Sequence, residues 1–118
     1  MPVIVYTYDK CSTCRKALQW LDARGIDYVV RPIRETPPTA VEIRKMVGVY
    51  DGEIRRVFNT SGMDYRAMEL KDKVGAMPLP EAIDLLRSNG MLVKWPFLLT
   101  ETGAAAGFRE KAWAALLA

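Results

Sequence analysis

Histidine is missing from this 118-residue sequence. Its absence excludes Cys–His and Ser–His–Asp catalysis, together with most zinc and haem ligand sets. Cysteine is scarce: the two thiols are Cys11 and Cys14. A mononuclear structural zinc site takes four ligands, so this pair would need carboxylates or a second subunit, and no metal is expected. Apolar runs long enough to span a bilayer are lacking. Met1-Pro2-Val3-Ile4-Val5-Tyr6 has no basic residue ahead of its apolar ones, which makes it a poor secretory signal. The charge excess is small, with 17 basic and 14 acidic residues for a net +3. The charges are dispersed, as on a mixed solvated surface, and do not trace a nucleic-acid footprint. Repeats, low-complexity segments and linkers are absent too. The expectation is one domain, residues 1–118, in a soluble cytoplasmic monomer that binds no membrane and no nucleic acid directly.

What is present reads as alternating strands and helices. Val3-Ile4-Val5-Tyr6-Thr7 is a short apolar, β-branched run that predicts a buried strand. Ser12 or Thr13 is placed to cap a following helix, whose apolar face is Cys14, Ala17, Leu18 and Leu21. Gly25 marks its end, and Asp27–Arg31 predicts the next strand. Strand, helix, strand in this order predicts a parallel pair with a right-handed crossover. Thr39 and Glu42 have the spacing of a capping box for a helix through Val47. Shorter helices are predicted near Glu53–Phe58, Tyr65–Leu70 and Pro80–Ser88, the last starting at a proline and ending at Asn89-Gly90. Phe97–Thr100 and Ala104–Phe108 predict two strands joined by a turn, and Arg109–Leu117 a closing helix. The expected class is α/β: a small mixed sheet, βαβ then ββα, with an all-helical insertion at roughly 36–90.

The cysteines stand three apart, just after the first strand. In a reducing compartment a close pair is more often catalytic or regulatory than a static staple. A disulfide closing so short a loop contributes only about 2 kcal/mol in the chain-entropy model. Two unrelated buried thiols are the plain alternative, since free cysteine is often a small core hydrophobe. The redox reading has a mechanism. A sulfur at a helix N-terminus meets unpaired N–H groups and the positive end of the helix dipole, which favour thiolate. Lys10, Arg15 and Lys16 add positive charge. Cys11, at the mouth of the strand-to-helix turn, is the expected nucleophile. Cys14, one turn in and on the apolar face, suits a resolving thiol.

Four stretches resemble the arsenate reductase (ArsC)/Spx family of thioredoxin-fold proteins: "VYTYDKCSTCRKALQWLDARGIDY", "YDGEIRRVFNTSGMDYRAM", "MPLPEAIDLLRSNGMLVKWPFLLT" and "GAAAGFREKAW". The resemblance covers nearly the whole chain and implies a thioredoxin-like core with a helical insertion. It implies an arsenate-reductase-like thiol–disulfide oxidoreductase, with Cys11 and Cys14 catalytic and Arg15, Asn59, Lys94, Trp95 and Pro96 around the substrate. The implied partners are a small thiol or a protein disulfide, and the implied electron donor is glutathione or a thioredoxin/glutaredoxin system, with no bound cofactor. Arsenate reductases of this family hold the oxyanion with three arginines. At the matching positions this chain has Asn59, Trp95 and Phe108, so efficient arsenate reduction is not expected. Lys94 and Arg109 are each one residue off, and on a strand a one-residue offset turns a side chain to the other face.

The resemblance also implies an alternative: an Spx-like, redox-sensing regulator that binds the C-terminal domain of the RNA polymerase α subunit. Gly52 falls where such members contact the polymerase, although a turn glycine explains it equally well. Thioredoxin-like folds place a cis-proline beside the active-site turn, so the Trp95–Pro96 bond is expected to be cis. Trp95 is either a stacking surface over the site or ordinary core cover.

Overall fold

The computed structural model describes residues 3–117. The readings that fall on Met1, Pro2 and Ala118, including both expected domain limits, lie outside the described residues. Strand β1 (Val3–Thr7) leads through the Tyr8–Cys11 turn into helix α1 (Ser12–Ala23), and the chain returns as β2 (Tyr28–Pro32). β1 and β2 are parallel, with Val3 opposite Tyr28 and Thr7 opposite Pro32. Helix α2 (Ala40–Val49) follows, then a 3₁₀ turn at Ile54–Arg56, helix α3 (Met63–Ala67), 3₁₀ turns at Leu70–Asp72 and Val74–Ala76, and helix α4 (Leu79–Ser88). After a last 3₁₀ turn, Gly90–Leu92, come β3 (Phe97–Leu99), β4 (Ala104–Ala106) and helix α5 (Glu110–Leu116). The sheet order is β2-β1-β3-β4, with β3 antiparallel to both neighbours. This is the expected βαβ and ββα sheet with helices between its halves.

Every strand position of the two central strands except Val3 is buried, because both faces of the sheet are covered. Strand side chains alternate in direction. Val5, Leu98 and Ala105 point to one face, where they meet Ala17 and Leu21 of α1 and the fully buried Trp113 of α5. Ile4, Tyr6, Phe97, Leu99, Ala104 and Ala106 point to the other, against Ile43 and Met46 of α2 and Ile83 and Leu86 of α4. The core is thus two apolar layers with the sheet between them.

Local chemistry explains most boundaries. The predicted capping box is complete: the Thr39 side chain accepts the Glu42 N–H, and the Glu42 carboxylate accepts the Thr39 N–H. Pro80 lies in the first turn of α4. Three expectations are corrected. The cap of α1 is Cys11, not Ser12 or Thr13, because the turn closes there, with the Cys11 N–H bonded to the Tyr8 carbonyl at 3.1 Å. The helix expected at Tyr65–Leu70 stops at Ala67, because Glu69 takes a left-handed conformation (φ 53°). β4 stops at Ala106, two residues short of expectation, because Gly107 turns the chain at φ 80°.

Candidate functional site

The site is assembled where three connections meet: the β1–α1 turn, the 57–61 loop and the two ends of the β3–β4 hairpin. The loop and the segment entering β3 are brought together by backbone bonds. The Asn59 N–H donates to the Leu92 carbonyl and the Lys94 N–H to the Val57 carbonyl, both at 2.8 Å, flanking a single antiparallel bridge between Phe58 and Val93. This zipper sets Asn59 opposite Leu92 and Lys94 opposite Val57, and Asn59 and Lys94 both line the cavity. The Trp95–Pro96 bond is cis, as expected. Trp95 is half-buried and its ring lies 5.0 Å from that of Tyr8, so it leans on the residue that opens the β1–α1 turn. The buried Pro96 accepts the Gly107 N–H at 2.8 Å.

Cys11, Thr13, Asn59, Ser61, Lys94 and Trp95 line a cavity of about 330 Å³. The far wall is Ala106–Arg109. That wall is held from behind. The Tyr50 hydroxyl accepts the Ala106 N–H at 2.9 Å, and the Trp113 indole N–H donates to the Gly107 carbonyl at 3.0 Å. Gly107 is fixed by its backbone. Its φ disfavours any side chain, and a Cβ there would lie 2.9 Å from Cε of Lys94. The lysine stem would have to shift to admit one.

At the helix terminus the Cys11 sulfur accepts the Cys14 N–H at 3.1 Å. The sulfur therefore takes the role of an N-cap acceptor, in line with the helix dipole. Cys11 is partly exposed and Cys14 is 2% exposed; both thiols are free. Burial, reinforced by the hydrogen bond with Cys11, pushes the Cys14 thiol up to about 12. Partial burial, then the positive charges of Arg109 and Arg56, hold the Lys94 ammonium below its ordinary value. The cationic side chains of Lys94 and Arg109 beside a sulfur make a cavity that attracts an anion.

Of the residues singled out from sequence, Cys11, Asn59, Lys94 and Trp95 converge on one cavity, and Cys14 lies directly behind Cys11. Arg15 does not line it: its guanidinium folds back to the Asp9 carbonyl at 3.3 Å. Pro96 supports the wall without lining it. Gly52 is elsewhere, exposed in the turn after α2 at φ 85°, where the backbone conformation alone accounts for glycine. The offset argument against Lys94 and Arg109 does not hold. Neither lies within a strand, so strand alternation does not apply, and both reach the cavity. Thr13, Ser61 and Gly107 were not singled out. Thr13, inside the Cys pair's turn, carried a usable signal; the other two needed the tertiary contact.

The model of the ArsC family matches residues 6–116. The chain belongs to the ArsC family. Among its ArsC-family relatives, the uncharacterized protein YusI of Bacillus subtilis is 38% identical over 110 residues, 93% of each chain. The global transcriptional regulator Spx of Listeria innocua is 25% identical over 108 residues, 92% of this chain and 81% of Spx. An ArsC-family-related protein from Bacteroides fragilis superposes with a TM-score of 0.91 at 36% identity, covering 98% of both chains. A protein from Streptococcus mutans UA159, described as a possible arsenate reductase, gives 0.86 at 41% identity, covering 95% of this chain and 97% of its own. Family membership and the thioredoxin-like fold make this a thiol-redox-related protein.

Proposed function

We propose that this chain is a thiol–disulfide oxidoreductase in which Cys11 attacks and Cys14 resolves. The observation that carries this is the Cys11 sulfur at the α1 N-terminus, partly exposed to a cation-lined cavity, with Cys14 buried one turn behind. The Cys11 thiolate attacks one sulfur of a substrate disulfide, and the other sulfur leaves as a thiolate that takes a proton from water. Cys14 loses its proton, attacks the Cys11 mixed disulfide and releases the second substrate thiol. Two electrons pass to the substrate, and the Cys11–Cys14 disulfide is reduced again by glutathione or a thioredoxin/glutaredoxin system. Thr13, Asn59, Ser61 and Lys94 bind the substrate, and Trp95 covers one side of it. The test is reduction of 2-hydroxyethyl disulfide: activity is expected in the parent chain and absent in Cys11→Ser.

Arsenate is a poor substrate in this reading. The oxyanion wants several planar, charge-assisted forks, and the cavity offers one lysine and one arginine, with Asn59, Trp95 and Phe108 at the three positions where the family's arsenate reductases carry arginine. Arsenate turnover with glutathione and glutaredoxin is expected to fall far below that of an arginine-complete homologue, and equal turnover would sink this point. A second reading, an Spx-like regulator on the RNA polymerase α subunit, would use the exposed Gly52 turn, which has open space above it. Redox-dependent capture of the α C-terminal domain, lost in Gly52→Arg, would replace the first reading with the second.

A further inference from the structure

A larger cavity, of about 900 Å³, opens on the helical insertion. Arg55, Arg66, Lys71 and Lys73 line it, with the carboxylates Glu69 and Asp72 and the Thr60 hydroxyl. Among the described residues the ion pairs are Arg31–Glu42 and Arg87–Asp84, so none of these four cations is neutralised by a neighbour. Two of them are instead held by backbone carbonyls: Arg55 donates to Lys71 at 2.7 Å and Lys73 to Met68 at 3.2 Å. The chain is shaped for this. Glu69 adopts φ 53° without being glycine, which costs conformational energy, and the bend begins the turn that carries Lys71 and Lys73. Gly75 leaves room for Arg55, whose Nη2 would be 3.1 Å from a Cβ there.

This groove adjoins the cysteine cavity. Thr60 lines the groove, while its neighbours Asn59 and Ser61 line the cavity that holds Cys11. An extended chain advances about 3.3–3.6 Å per residue, so a polypeptide bound beside Thr60 can continue around this loop to the cavity lined by Asn59 and Ser61. All four cations are exposed, and the groove is open to solvent and long on charge of one sign, which suits an acidic polypeptide segment. We propose that the basic groove is an exosite for an acidic segment that flanks the disulfide of a protein substrate. The proposal rests on the thiol–disulfide reading, and the exchange step is the one written above.

Two measurements test it. In the first, a short fluorescein-labelled Glu/Gly peptide without cysteine is titrated against the full chain carrying Cys11→Ser. Binding is expected to weaken about tenfold in Lys71→Gln/Lys73→Gln, the sum of two modest exposed charge interactions. Arg55→Gln/Arg66→Gln should weaken it similarly, added salt should weaken it further, and a Lys/Gly peptide should not bind. In the second, the parent chain reduces one disulfide set in an acidic or a neutral peptide. The acidic peptide should react faster, and Lys71→Gln/Lys73→Gln should abolish the difference. Binding unchanged in both double variants, or a nucleic acid or nucleoside triphosphate binding where the acidic peptide does not, would overturn the exosite. Acidic-peptide binding that needs the four cations, with neither disulfide reduced, would overturn the redox reading and leave the groove assigned.

Discussion

At residue 11 a sulfur fills the place where a hydroxyl or carboxylate usually caps a helix. The same atom that ends the α1 backbone network is open to the cavity, and its partner Cys14 is sealed in the core. The two thiols should therefore differ in reactivity. Limiting iodoacetamide at neutral pH is expected to label Cys11 first. Labelling of Cys14 should be slow and rise about tenfold per pH unit until its thiol ionises near 12. Early labelling of Cys14 would mean that it is not buried behind Cys11 in solution. Lys94 belongs to the same scale. Its ammonium is already disfavoured by burial and by Arg109 and Arg56, so it loses its charge below the usual lysine range. Lys94→Met should slow reduction of an anionic aromatic disulfide severalfold and leave neutral 2-hydroxyethyl disulfide nearly unchanged. Equal slowing of both would assign Lys94 a structural part only.

At the scale of elements, Glu42 joins three of them. One carboxylate caps α2 through Thr39, accepts the hydroxyl of Tyr6 on β1 at 2.7 Å, and pairs with Arg31 of β2 at 3.3 Å. Tyr6 is 1% exposed, and without Glu42 its hydroxyl loses the acceptor of a partly buried hydrogen bond. Glu42→Ala is expected to destabilise the fold by about 1–2 kcal/mol, from the cap and the partly buried hydrogen bond together, as read by urea denaturation. A loss near zero would show that water replaces the carboxylate. Tyr50 does related work on β4, an edge strand whose Ala106 N–H it satisfies. Tyr50→Phe should cost about 1 kcal/mol and loosen the wall facing Cys11.

Across the whole molecule, the sequence was most legible where local chemistry decides. The β-branched run of β1, the Thr39–Glu42 capping box and the proline in the first turn of α4 each fixed an element from a few residues. It was least legible where tertiary contacts decide. Nothing local to residues 65–70 announces the left-handed Glu69, and a hydroxyl residue was the natural cap until the turn closed on Cys11. Lys94 and Arg109 looked displaced on the assumption of continuous strands. They converge because Gly107 ends β4 early and because Lys94, ahead of β3, is bonded to the Val57 carbonyl beside the Phe58–Val93 bridge. Asn59, Lys94 and Trp95 were found through family resemblance, whereas Ser61 came into view only with the Phe58–Val93 bridge.

The central claim, that Cys11 attacks and Cys14 resolves, is tested most directly by intact-protein mass spectrometry after reaction with 2-hydroxyethyl disulfide. Cys14→Ser is expected to accumulate a stable mixed disulfide on Cys11, Cys11→Ser to form no adduct, and the parent chain to end as the Cys11–Cys14 disulfide. A lasting adduct on Cys14, or a parent chain that keeps an adduct on Cys11 without closing the intramolecular disulfide, would contradict it.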